Sequence, residues 1–182
     1  MHRVRTHQIL ISGCSGGGKS TLIDALAHRG HSVVREPGLR VVGEERARQG
    51  SALPWIDMPA FLSRTIQMSR ADLARMAGSA HPVFHDRGLL DAAVALRHLC
   101  NVPLSDTLGP VFPYDHRIIL VPPWPAIYVK TDDRRHSFKD AEAEFFRIRR
   151  AARELGCQII DLPRVDVATR LEHVERAFDL KI

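Results

Sequence analysis

Residues 13–20 read G-C-S-G-G-G-K-S, four glycines within six positions followed by Lys19, Ser20 and Thr21. The spacing matches G-x-x-x-x-G-K-[ST], a pattern whose chemistry is the cradling of phosphate. A chain wrapped around an anion must turn its amides inward, through dihedrals that glycine adopts and side chains resist. A helix opening at Lys19 adds free N–H groups and a partial positive charge. Gly13, Ser15, Gly16, Gly17, Gly18, Lys19, Ser20 and Thr21 are therefore the candidate ligand-binding residues. Lys19 is placed to reach the β- and γ-phosphates, and the Ser20 hydroxyl to meet a magnesium ion. A compact ammonium on a flexible stem suits that position, and a guanidinium does not replace it. The expected ligand is a nucleoside triphosphate with Mg²⁺, ATP favoured and GTP possible, since no guanine-reading N-K-x-D is present.

Three further clusters carry candidate chemistry. In "PVFHDRG", Asp86 ends an apolar run, where α/β sheets place functional groups. It could contact Mg²⁺ or receive a proton from an acceptor hydroxyl, or simply cap the next helix. Arg87 beside it could bind phosphate or lie on the surface, and Asp91 falls one turn later. In "REPG", Glu36 follows the second apolar run and points to the same crevice, as a base, as a holder of hydroxyls, or as a plain turn acid. In "TDDRRHSF", Arg134 and Arg135 could close over a transferring phosphoryl group, or form a solvated charge run. The acceptor wall falls to Trp55, Asp57, Phe61 and Arg64, although Trp55 beside a helix start could equally be packing. Cys14, inside the glycine loop, is a candidate thiol.

Short apolar strands and amphipathic helices must position these groups. Residues 7–12 read as a buried strand ended by glycine, and 19–30 as a helix with Leu22, Ile23, Leu26 and Ala27 on one face. Strands are expected at 31–36, 82–86, 116–121 and 157–161. Helices are expected at 40–50, at 58–78 behind an Asp57 cap with Pro59 in the first turn, and at 88–100. Phe61, Leu62, Ile66, Leu73 and Met76 are the expected core of the 58–78 helix. Ala141, Phe145, Ile148, Ala152 and Leu155 follow a 4-3-4-3 spacing that predicts a helix stopped by Gly156. A last helix at 166–180 sets Val167, Leu171, Val174 and Phe178 on one face. Residues 122–138 read as a flap or lid, with Trp124 as its hinge. Alternation from end to end predicts a parallel sheet covered on both faces, in one domain over residues 1–182.

Composition narrows the partners. The net charge of +5 suits anionic ligands without choosing among them. Aromatics at 6% leave too few rings for a single-strand stacking platform, so nucleic acid is not expected. No apolar run reaches the roughly 20 residues of a membrane span, and "MHRVRTHQ" has no signal core behind it, so the expected compartment is the cytoplasm. Three scattered cysteines form no C-x-x-C and read as reduced.

The segments "ISGCSGGGKSTL", "REPG", "LPWIDMPAF", "VFHDRG", "PPWPAIY" and "DDRRHSF" together resemble the predicted-ATPase family of small AAA-annotated P-loop proteins. That family is similar to the nicotinamide-riboside kinase domain of bacterial NAD regulators, and the resemblance runs from about residue 7 to 180. It implies a P-loop NTPase sandwich of three layers with a five-stranded sheet in the order 2-3-1-4-5, a lid, and ATP or GTP with Mg²⁺. Asp86 is followed by Arg87 where hexameric motors carry a second acid, so kinase-like behaviour is expected rather than that of a motor. Two readings follow. One is a small-molecule kinase with an unknown, nucleoside-like acceptor. The other is a regulatory NTPase acting through a partner or acidic lipid.

Overall fold

In the computed structural model, residues 7–128 and 137–180 are described. Five strands form one parallel sheet: β1 (Gln8–Gly13), β2 (Ser32–Val34), β3 (Val83–Asp86), β4 (Arg117–Val121) and β5 (Gln158–Asp161). Their order is β2-β3-β1-β4-β5, the order that the family resemblance implied. All pairings are parallel, with Ile11 opposite Asp86 on one side and Gly13 opposite Val121 on the other.

Among the described residues six α-helices lie between the strands, α1 (Lys19–His28), α2 (Pro37–Ala47), α3 (Met58–Met76), α4 (Leu89–Cys100), α5 (Leu104–Leu108) and α6 (Phe138–Glu154), and α7 (Val167–Ala177) follows β5. The period of two in β1 and β4 divides the core. Leu10, Ile118 and Leu120 face α4, α5 and α6, where they meet Ala93, Phe145 and Ile148. Ile9, Ile11, Ile119 and Val121 face α1 and α7, where they meet Leu22, Leu26, Leu171 and Val174. Strands buried on both faces give the continuous apolar runs seen in the sequence.

Several boundaries differ from expectation. The second strand is only three residues long, and α2 begins at Pro37 rather than at 40. Proline presets the helical φ and has no N–H to lose in the first turn, so Pro37 starts the helix instead of ending the strand. The short helix α5 lies in a stretch for which no element was predicted. Along α3, Leu62 and Ile66 are buried, whereas Phe61, Leu73 and Met76 are only half-buried. Val167 is exposed and leaves the face formed by Leu171, Val174 and Phe178. The caps of α3, α6 and α7 are built by Asp57, Ser137 and Asp166 accepting from the third backbone N–H onward. Of the expected lid, a short 3-10 turn at Pro125–Ile127 is described, and residues 129–136 lie outside the described residues. No described helix is long and apolar enough to cross a membrane.

Two adjacent phenylalanines on α6 separate core from surface: Phe145 is 4% exposed and Phe146 57%. Phe145→Ala is expected to destabilise the fold by about 3–5 kcal/mol, and Phe146→Ala by about 0.5 kcal/mol or less. Urea denaturation of the two variants beside the parent checks both.

Candidate functional site

The carboxyl ends of all five strands lie on one edge of the sheet, and β1 has its neighbours β3 and β4 on opposite sides there. Such a switch point opens a crevice between the loops. The glycine segment enters it directly from β1. Gly13 has φ +117°, and a Cβ there would overlap the Val121 carbonyl and stand 2.7 Å from the Val121 nitrogen. A Cβ on Gly17 would lie 2.6 Å from Val121 Cγ1. Two of the four glycines are thus required by contact with β4, before any ligand is considered.

Lys19 folds back into the loop. It is 6% exposed, and its Nζ donates to the Cys14 carbonyl at 2.8 Å, a carbonyl that also accepts from Gly17 N–H. No carboxylate is hydrogen-bonded to that ammonium among the described residues. Burial lowers its pKa, and the Arg87 charge adds to the effect, while Asp86 and Glu36 oppose it. A buried cation without a bonded counter-charge is a place prepared for an anion. The start of α1 agrees: Gly18 adopts φ 87°, and the first turn carries neither a side-chain cap nor an acid. Its leading amides have no partner within the helix. Ser20 and Thr21 are exposed on the same rim. Cys14 is not a reactive thiol: it is fully buried, donates to the Ser15 carbonyl, and burial pushes its pKa up.

A cleft of about 960 Å³ runs from this loop, past Glu36 and Arg87, to Trp55 and Phe61. It joins the expected phosphate end to the expected acceptor wall. Arg87 is held by three carboxylates: Glu144 at 2.6 Å, Asp91 at 3.2 Å and Glu36 at 3.7 Å. Burial works against its charge, but Glu144, Glu36 and Asp91 outweigh that and hold the guanidinium firmly protonated. Asp91 in turn accepts from Ser12 Oγ at 2.6 Å and from Gly88 N–H at 3.2 Å. Arg87 is therefore neither a surface residue nor a bare phosphate hook. It is a crosspiece joining the ends of β2 and β3 to α4 and α6.

Trp55 reaches the cleft because Glu45 ties down its loop. The buried Glu45 carboxylate accepts from Ala52 N–H at 3.2 Å and pairs with Arg48 and Arg64. Arg46 lies over the Trp55 ring, 5.3 Å from its centroid. Phe61 closes against Gly38, where a Cβ would stand 3.3 Å from Phe61 Cζ. Asp57 caps α3 and does not line the cleft, and Arg64 pairs with Glu44 at 2.6 Å. Arg134 and Arg135 lie outside the described residues. Sequence reasoning passed over Asp140, Glu144 and Arg147, which line the cleft from α6. Their 4-3 spacing beside the apolar stripe was the available signal.

Asp86 lies beneath the cleft, 3% exposed, with no hydrogen-bond partner for Oδ1 among the described residues. Burial raises its pKa to about 6; Lys19 pulls it down and Glu36 pushes it up. No described group of three or more His, Cys, Asp or Glu could cage a metal. Magnesium seldom needs one, because one or two carboxylates and the substrate phosphates suffice. The orphaned Asp86 oxygen with the Ser20 hydroxyl fits that donor set.

The Asp86 pKa has a definite sign for stability. A folded pKa raised from 3.8 to about 6 means that the unfolded chain releases this proton first as pH rises, so stability falls across that window. Asp86→Asn is expected to stabilise the protein by roughly 2–3 kcal/mol near neutral pH, with the gain shrinking as pH falls from 6 towards 3.8. Thermal melts of parent and variant at both ends of the window check this, and an equal effect at both would contradict it.

The comparisons with known proteins agree with this architecture. A family model described as an AAA domain matches residues 8–170. A search of curated proteins finds no match. Among solved structures, the chain is similar to deoxyadenosine kinase from M. mycoides with dCMP and dCDP, at 16% identity and TM-score 0.64, covering 94% of this chain and 98% of that one. It is also similar to NadR protein in complex with NAD and AMP-PNP, at 17% identity and TM-score 0.65, and to NadR in complex with NR, at 20% identity and TM-score 0.65. The chain spans half the length of the NadR chains, with 96% of its own length covered. The family match over residues 8–170, the phosphate loop and the sheet order together make this chain a member of the AAA-domain family, a small P-loop protein of kinase-like fold.

Proposed function

We propose that this protein binds ATP with Mg²⁺ and transfers the γ-phosphoryl group to a hydroxyl of a small, nucleoside-like acceptor. One observation carries the reading: a single cleft joins the phosphate loop to an aromatic wall, with Glu36 and Arg87 between them. Nucleotides and nucleosides bound by the proteins of similar fold support it.

In this mechanism the loop amides and Lys19 grip the phosphates, and the Lys19 ammonium exchanges the Cys14 carbonyl for a phosphoryl oxygen. Ser20 and Asp86 would hold the magnesium ion, whose chemistry is to draw charge from the phosphoryl oxygens. Glu36 lines the cleft, whereas Asp86 lies beneath it, so Glu36 is the group that orients the acceptor hydroxyl and takes its proton. Arg87, itself neutralised by Glu36, Asp91 and Glu144, fixes Glu36 in place beside the transfer path. Trp55 and Phe61 offer flat faces to an acceptor ring. Arg134 and Arg135 remain the proposed lid cations.

The test is phosphoryl transfer from labelled ATP to a panel of nucleosides, with calorimetric titration of Mg-ATP. Lys19→Ala is expected to reduce transfer about 10²–10³-fold. Glu36→Gln should lower kcat about 10²–10⁴-fold while ATP still binds as in the parent. ATP turnover that no acceptor accelerates would overturn the kinase reading and favour a regulatory NTPase.

A further inference from the structure

Arg170 on α7 has no part in the mechanism above, yet it is 3% exposed and touches the phosphate loop. Its guanidinium meets three segments, two of them far from α7 in sequence. Nε donates to the Pro163 carbonyl, just past β5, at 2.9 Å. Nη1 donates to the Gly17 carbonyl at 2.9 Å. Cζ sits 4.5 Å from the centroid of the Trp124 ring, just past β4. Nη1 also fills the space beside Gly18, where a Cβ would stand 2.8 Å away. No carboxylate pairs with Arg170 among the described residues, and Nη2 is buried without a partner. Burial alone lowers its pKa. A buried cation left without a counter-charge is costly to the fold, so its retention calls for a task.

Peptide geometry supplies the task. The Gly17 carbonyl and the Gly18 N–H belong to one planar trans unit and point in opposite directions. A donor that holds the carbonyl from outside the loop thereby turns the amide towards its interior. Glycines on both sides leave that unit free to flip unless something outside fixes it. The Trp124 ring holds the guanidinium plane, so the contact is directional rather than a loose charge.

We propose that Arg170 is a positioning residue for nucleotide binding: by fixing the Gly17–Gly18 peptide it aims the Gly18 amide at the phosphates, with Trp124 as its backing. The inference rests on the nucleotide reading of the loop. It predicts a selective effect, because Arg170 contacts the phosphate loop and does not line the acceptor cleft.

The test is calorimetric titration of Mg-ATP into parent, Arg170→Met, Arg170→Lys and Trp124→Leu, with steady-state transfer kinetics. Arg170→Met is expected to weaken the ATP Kd and raise the ATP KM about tenfold or more, the scale of one charged hydrogen bond. The acceptor KM at saturating ATP should stay within about twofold of the parent, because no acceptor contact is lost. Arg170→Lys should recover part of the affinity by restoring one donor, and Trp124→Leu should fall between parent and Arg170→Met. If Arg170→Met does not fold, the other two variants carry the test. ATP affinity within about twofold of the parent in every folded variant would overturn the inference while leaving the nucleotide reading intact, as would ATP and acceptor KM rising together. No binding of Mg-ATP by the parent protein would overturn the nucleotide reading, and this inference with it.

Discussion

The close approach of Gly13 to Val121 is the constraint on which the rest of the structure depends. Here β1 and β4 run so near each other that a single added carbon would overlap the opposing backbone. The Cys14 N–H then bonds to the Val121 carbonyl at 2.9 Å, carrying the pairing one residue beyond the strand. From that fixed point the loop has five residues in which to turn back into α1. Its curvature, the inward Lys19 and the uncapped helix start all follow. The glycines are commonly read as an accommodation to ligand. In this protein, Gly13 and Gly17 are first an accommodation to the sheet.

Around the loop the charges fall into two groups with different physics. Arg87 is saturated by Glu36, Asp91 and Glu144, so it acts as a rigid joint that sets the cleft's shape. Lys19, Asp86 and Arg170 are buried with bonding capacity to spare. Buried polar groups left unsatisfied are uncommon in proteins, and they concentrate where a ligand completes them. Two of the three touch the phosphate loop directly, Lys19 at Cys14 and Arg170 at Gly17. Asp86 ends the strand beside it. These three groups lie together at the end of the cleft where an anion and its cation would lie, whereas Arg40 Nε and His116 Nδ1, also buried without a partner among the described residues, belong to residues that do not line it.

Local chemistry was legible wherever one segment carried the whole signal. The loop motif needed no partner to be recognised, since its glycines, lysine and serine are contiguous. The apolar stripe of α6 and the Asp57 cap of α3 were equally self-contained. Pro37 was misread because proline both ends strands and begins helices, and only the path of the chain after Glu36 distinguishes the two. Phe61 reads from the sequence both as core of α3, because it is large and apolar, and as acceptor wall, and only the packed structure chooses the second. Its position at the cleft follows from how α3 packs beside α2, which no local pattern records.

The residues alone therefore determined the alternation of strands and helices, the parallel sheet that follows from it, and the phosphate loop. The alternation and the loop motif are signals carried by near neighbours in sequence, and helices between successive strands are the crossovers that parallel pairing requires. Tertiary structure decided which charges meet. Arg87 is bound to a glutamate 57 residues away, and Arg170 reaches a carbonyl 153 residues away. Burial decided that Asp86 carries an unpaired oxygen and that Cys14 is an inert thiol. Partners so distant are brought together by the order of strands in the sheet, and exposure is a property of the packed whole, so neither is written in the spacing of residues.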